Sequence, residues 1–325
     1  MSGASRQAAA AARIAASLAV ASLLLLGLSA CVLDVPYEKY AIVYGVADYQ
    51  DGVNDLIYPD DDAVDMRTML VNQEYQVWIK TDSETYVESA AEHASKANLL
   101  ADIAAVAAVA KEEDLFVFYF SGHGGQSAIG PENGTGDSFD EYIFLYDSDL
   151  TPAGLALTFS DNELVDAFAD IRARKKVIIL DSCNSGGFIG NELEADGEPP
   201  SLVEGFESIG ELAARAIRLY ANFDGSTADI PPWEALVLSA SGERESSFES
   251  PDDWGNGLPL KNGVFTYYLL EAERKGDLNH DGWVTVTEAF AYTQKKIYED
   301  WNYGDGFPFS PHVSGGPVDY VLFER

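Results

Sequence analysis

Cysteine is almost missing from this chain. Only Cys31 and Cys183 occur in 325 residues, too few for a disulfide framework and without the paired spacing of a structural zinc site. Positive charge is scarce too. Against 54 Asp and Glu stand 20 Lys and Arg, a formal net charge of -34 that repels phosphate and argues against nucleic acid as a partner. There are only four histidines, so one that falls near a cysteine carries weight. No internal repeat or long linker interrupts the sequence. The remainder suits a globular protein: 47% hydrophobic and 12% aromatic residues are enough to bury a large core.

The N-terminus reads as an address rather than as part of the fold. Arg6 and Arg13 precede an apolar run through Leu23–Leu26, which ends at Leu28-Ser29-Ala30-Cys31. That ending resembles a bacterial lipobox, whose cysteine is lipidated and becomes the first mature residue. Residues 1–31 are thus expected to be a lipoprotein signal peptide, and 32–38 a short tether. The expectation is a protein held to a bacterial membrane through lipid on Cys31, in the cell envelope and facing the periplasm or exterior. If so, Cys183 is the only free thiol.

From residue 39 to 325 the pattern predicts one α/β domain with an open, mostly parallel central sheet flanked by helices. Tyr40–Val46, Tyr75–Ile79, Leu115–Phe120, Val177–Leu180 and Ala235–Leu238 read as strands. Between them, Ala63, Met66 and Leu70 mark one helix face, and Leu99, Ile103 and Val106 another. A capping box, Ser160-Asp161-Asn162-Glu163, opens a third helix. Residues 190–233 read as an irregular excursion that contains Arg215 and Arg218.

Two strand ends carry the chemistry, since sites in such sheets gather beyond the carboxyl ends of the strands. Leu115–Phe120 runs into Ser121-Gly122-His123-Gly124-Gly125, and Val177–Leu180 runs into Asp181-Ser182-Cys183-Asn184-Ser185-Gly186-Gly187. One crossover helix separates them, so both loops are expected at the same edge of adjacent strands. A thiol attacks as the thiolate, and an imidazole can take its proton and later protonate a leaving amine. Backbone N–H groups at Gly124 and Cys183 are candidate donors to the oxyanion. This chemistry needs no organic cofactor.

Phe118–Gly124 and Asp181–Gly187 resemble the two catalytic motifs of caspase-like cysteine peptidases, above all metacaspases and their bacterial relatives. The likeness extends to Tyr40–Tyr49, Asp61–Leu70, Asp140–Ile143, Leu236–Ser241 and Gly263–Leu270. It implies a caspase-hemoglobinase fold, a His123–Cys183 dyad and peptide or protein substrates. Asn184 departs from the family, which usually has histidine after the cysteine. Asp62 and Asp181 match acidic positions at which metacaspases bind Arg or Lys, so cleavage after a basic residue is expected. Two rival readings keep the fold: an inactive surface binding protein, or an amidase or transpeptidase of the envelope.

Near the C-terminus, residues 277–288 follow the twelve-residue EF-hand calcium pattern. Asp277, Asn279, Asp281 and Glu288 fall at positions 1, 3, 5 and 12, with Gly282 at position 6 and Val284 at position 8. Trp283 would supply a backbone carbonyl and Thr285 a direct or water-mediated oxygen. Calcium is therefore the expected cofactor, as a structural clip or an activator.

Overall fold

The computed structural model describes residues 36–49, 53, 55–82, 92–127, 140–148, 153, 156–182, 235–241, 247–249, 261–302, 309–314 and 319–325. Cys31, Cys183, Asn184 and the 190–233 excursion lie outside the described residues. Glu38–Arg325 forms a single unit by its internal contacts.

The first half alternates strand and helix: β1 (Lys39–Gly45), α1 (Pro59–Asn72), β2 (Gln76–Lys80), α2 (Lys96–Val109) and β3 (Leu115–Ser121). Three short strands follow, β4 (Gly124–Ser127), β5 (Asp140–Ile143) and β6 (Phe159–Ser160), then α3 (Asp161–Ala169), β7 (Lys175–Asp181) and β8 (Leu236–Ser239). The C-terminal part holds α4 (Val264–Lys275), β9 (Trp283–Thr285), α5 (Val286–Lys296), β10 (His312–Ser314) and β11 (Val321–Glu324).

The main sheet has the order β10-β8-β7-β3-β1-β2, parallel except for β10. Its central strands are buried along their length because helices cover both faces. Alternate residues (Tyr40, Ile42 and Tyr44; Phe116, Phe118 and Phe120; Ile178 and Leu180) share one core with Leu99, Ile103 and Val106 of α2 and with Leu164 and Phe168 of α3. Each such side chain contributes about 1.5–3 kcal/mol by leaving water.

Local signals fix the helix starts. Ser160 accepts from the Glu163 N–H and Glu163 reaches back to the Ser160 N–H, closing the capping box read from the sequence. Ser95 caps α2 through the Asn98 N–H. Sequence patterning did not anticipate two small sheets. One is β4-β5-β6, and in the other β11 pairs antiparallel with β9. Strands of two to four residues leave too few positions for an alternation to register. Among the described residues, no helix is long and apolar enough to cross a membrane.

Candidate active site

Parallel register sets the carboxyl ends of β1, β3 and β7 side by side. Gly45 pairs with Ser121, and Ser121 with Asp181. The ladder continues one step further, through the Gly122 N–H to the Asp181 carbonyl at 3.2 Å and the Val46 N–H to the Ser121 carbonyl at 3.0 Å. His123 therefore leaves the sheet beside the strand end that leads to Cys183. Topology gives the two predicted motifs one edge, while Cys183 itself lies beyond the described residues.

The half-buried His123 is held by its backbone and by a neighbouring ring. Its N–H donates to the Tyr49 hydroxyl at 2.7 Å, and its carbonyl accepts from the Phe144 N–H at 2.9 Å. The Tyr49 and His123 rings lie 5.0 Å apart, tilted by 41°. Gly124 opens β4 opposite Ile143 of β5, so the small sheet anchors the chain just past the histidine. Tyr49 was not singled out from the sequence; its place in the loop after β1 gives no periodic signal.

Asp62 and Asp181 come together as a buried pair, 1% and 5% exposed, so neither is a solvated surface acid. Asp62 accepts from the Ser121 hydroxyl at 2.8 Å and the Gly263 N–H at 2.9 Å. Asp181 accepts from the Thr266 N–H at 3.1 Å, the Thr266 hydroxyl at 2.7 Å and the Ser247 hydroxyl at 2.5 Å. Gly263 stands between them. A Cβ there would meet Asp181 Oδ2 at 2.5 Å and Asp62 Oδ2 at 2.9 Å, so the pair needs a residue with no side chain.

Burial pushes the Asp62 carboxyl well above the usual range, and repulsion from Asp181 adds to this. Burial also raises Asp181, against the hydrogen bonds from Ser247 and Thr266. Glu249 adds a third acid nearby. Its carboxylate accepts from the Ile57 and Tyr58 N–H groups at 3.0 and 2.8 Å, and burial, with smaller contributions from Asp181 and Asp60, raises it. Two residues past β2, Asp82 is pushed up to about 8 by burial, with repulsion from Asp48 and Asp60. Ser121, Ser247, Gly263 and Thr266 were not individually foreseen, since small polar residues carry no pattern until the fold gathers them.

The loop 277–288 has the turn geometry that its sequence demands. His280 and Gly282 adopt positive φ of 62° and 92°. Asp277 accepts from the Asp281 and Gly282 N–H groups, and Asn279 also accepts from Asp281. Asp281 accepts from the Trp283 N–H at 2.9 Å. Glu288 forms a capping box with Thr285 at the start of α5. Arg325 approaches Asp277 at 3.5 Å. Among the described residues, no three His, Cys, Asp or Glu side chains stand close enough together to hold a metal. The loop's acids are turned towards its own amides, and the side chains of Asp277, Asn279, Asp281 and Glu288 are of the hard-oxygen kind that calcium takes.

A family model described as the caspase domain matches residues 38–306. Among solved structures, the chain is similar to the crystal structure of protein GSU0716 from Geobacter sulfurreducens. The TM-score is 0.54 at 17% identity, over 89% of this chain and 97% of the other, a likeness of fold alone. No curated protein matches the sequence.

Proposed function

The chain belongs to the caspase-domain family of cysteine peptidases, and on that premise we propose that it is an endopeptidase cutting after Arg or Lys through a His123–Cys183 dyad. The observation that carries this is the register of Ser121 against Asp181, which joins the histidine-bearing and cysteine-bearing strand ends at one edge.

In the proposed reaction, the Cys183 thiol gives its proton to His123 and its sulfur bonds to the scissile carbonyl carbon. The N–H groups of Gly124 and Cys183 donate to the oxyanion. As the C–N bond breaks, the imidazolium protonates the leaving amine. Water, deprotonated by His123, then cleaves the thioester and restores the thiol. Asp62 and Asp181 receive the guanidinium or ammonium of the residue before the cut. The strongest support for that specificity is the pair itself: two buried carboxylates with no cationic partner among the described residues are suited to a charge brought by substrate.

Calcium in the loop 277–288 would be held by Asp277, Asn279, Asp281, the Trp283 carbonyl, Thr285 and Glu288. It would act as a clip between α4, which ends at Lys275, and α5. Lipid on Cys31 would hold the enzyme to the envelope, with peptides or proteins as substrates. Profiling hydrolysis of peptides varied only at the cleavage position tests the specificity. Turnover confined to Arg and Lys supports it, and turnover confined to Asp refutes it.

A further inference from the structure

One buried hydroxyl behind the carboxylate pair has no part in the proposed reaction. Tyr119 lies in β3, fully buried, on the strand face opposite to Phe118 and Phe120. A buried tyrosine hydroxyl costs free energy unless it is hydrogen-bonded. Its partner is Thr266 in the first turn of α4, with the two oxygens 2.6 Å apart. Thr266 is fully buried as well and donates to Asp181 Oδ2 at 2.7 Å. The same Tyr119 hydroxyl also meets Ser121, which donates to Asp62 Oδ2 at 2.8 Å.

Counting hydrogens gives this cluster a direction. An ionised carboxylate only accepts, and each hydroxyl owns one hydrogen. Ser121 spends its hydrogen on Asp62, and Thr266 spends its own on Asp181. The hydrogen left for the 2.6 Å bond is that of Tyr119, so Tyr119 donates to Thr266. Burial, reinforced by Asp62 and Asp181, raises the Tyr119 hydroxyl well above its usual range and keeps that hydrogen in place. A donor to Thr266 also polarises its O–H and strengthens the bond that Thr266 makes to Asp181. Without that donor Thr266 has an alternative. A helical threonine can turn its hydroxyl back to a carbonyl of the preceding turn, and Asp181 would then lose a hydrogen bond.

We propose that Tyr119 is a positioning residue for the pocket that receives the basic side chain, holding the Thr266 hydroxyl on Asp181 and so fixing where that carboxylate points. The proposal rests on the reading of Asp62 and Asp181 as that pocket, and adds to it a residue sealed from substrate.

Steady-state kinetics of the full chain in detergent micelles, on peptides ending in arginine, tests this. Tyr119→Phe should raise KM about fivefold, the weight of one net hydrogen bond, and leave kcat within about twofold. Thr266→Val should raise KM at least as much. Adding Tyr119→Phe to Thr266→Val should change nothing further, a non-additivity that a merely structural tyrosine would not show. Thr266→Ser, which keeps the hydroxyl, should hold KM within about twofold of wild type. An unchanged KM in Tyr119→Phe, or effects that add in the double variant, overturns the proposal and leaves the pocket reading intact. If Tyr119→Phe does not fold, an unchanged KM in Thr266→Val overturns it instead. A wild type that turns over no arginine peptide removes the pocket and the proposal together.

Discussion

Adding one methyl group at Gly263 should damage specificity without touching the nucleophile. A Cβ there would sit 2.5 Å from Asp181 Oδ2 and 3.2 Å from its Cγ, and 2.9 Å from Asp62 Oδ2. A carboxylate must swing away. If Asp181 moves, it loses the Thr266 N–H and hydroxyl together. Hydrogen bonds to charged groups contribute about 1.5–3 kcal/mol each, so the disruption amounts to about 3 kcal/mol. Felt by a bound guanidinium, that is about 10²-fold in kcat/KM. The assay compares Gly263→Ala with wild type on peptides ending in arginine, alongside alkylation of Cys183 by a small thiol reagent. The expected outcome is a loss of about 10²-fold in kcat/KM with alkylation unchanged. A variant that keeps kcat/KM within about threefold refutes the argument that the pair receives substrate.

Other consequences follow from the same contacts. The raised carboxyls of Asp62 and Asp181 stabilise the fold fully below the unfolded value of about 4, and that contribution fades as pH rises through their folded values. Asp62→Asn should therefore gain Tm relative to wild type on going from pH 5 to pH 8, as thermal melts at the two pH values will show. Because a guanidinium favours the ionised pair, KM for arginine peptides should fall over the same interval, and the fall should flatten in Asp62→Asn. Tyr49→Phe removes the acceptor of the His123 N–H, a loss of about 1 kcal/mol that should lower kcat about fivefold in steady-state assays. At calcium about 100 times the dissociation constant, wild type should gain about 2.7 kcal/mol by denaturant titration. Glu288→Gln should lose most of that gain.

The sheet was legible because its strands are continuous apolar runs. Leu115–Phe120 is buried on both faces, and nothing in its neighbourhood competes with that reading. The place of His123 at a strand end was legible for a related reason: it directly follows a buried strand, and of the four histidines no other sits within a glycine-flanked strand-end motif. His312 pairs with Ser239 as the antiparallel edge of the main sheet, a strand the sequence pattern does not mark. Three residues behind a proline give no alternation to read. The carboxylate pair was half legible. Asp62 and Asp181 came from motif resemblance, but their burial on either side of Gly263 depends on α4 starting there, a long-range contact that periodicity does not encode.

The central claim is that an imidazole on β3 activates a thiol just past β7. Mass spectrometry of the full chain treated with a peptidyl affinity label carrying arginine at its reactive end measures this directly. The account predicts a single adduct on Cys183, absent in Cys183→Ala and formed at least about a hundredfold more slowly in His123→Ala. An adduct on Cys183 that forms equally fast without His123, or no adduct at all, would contradict it.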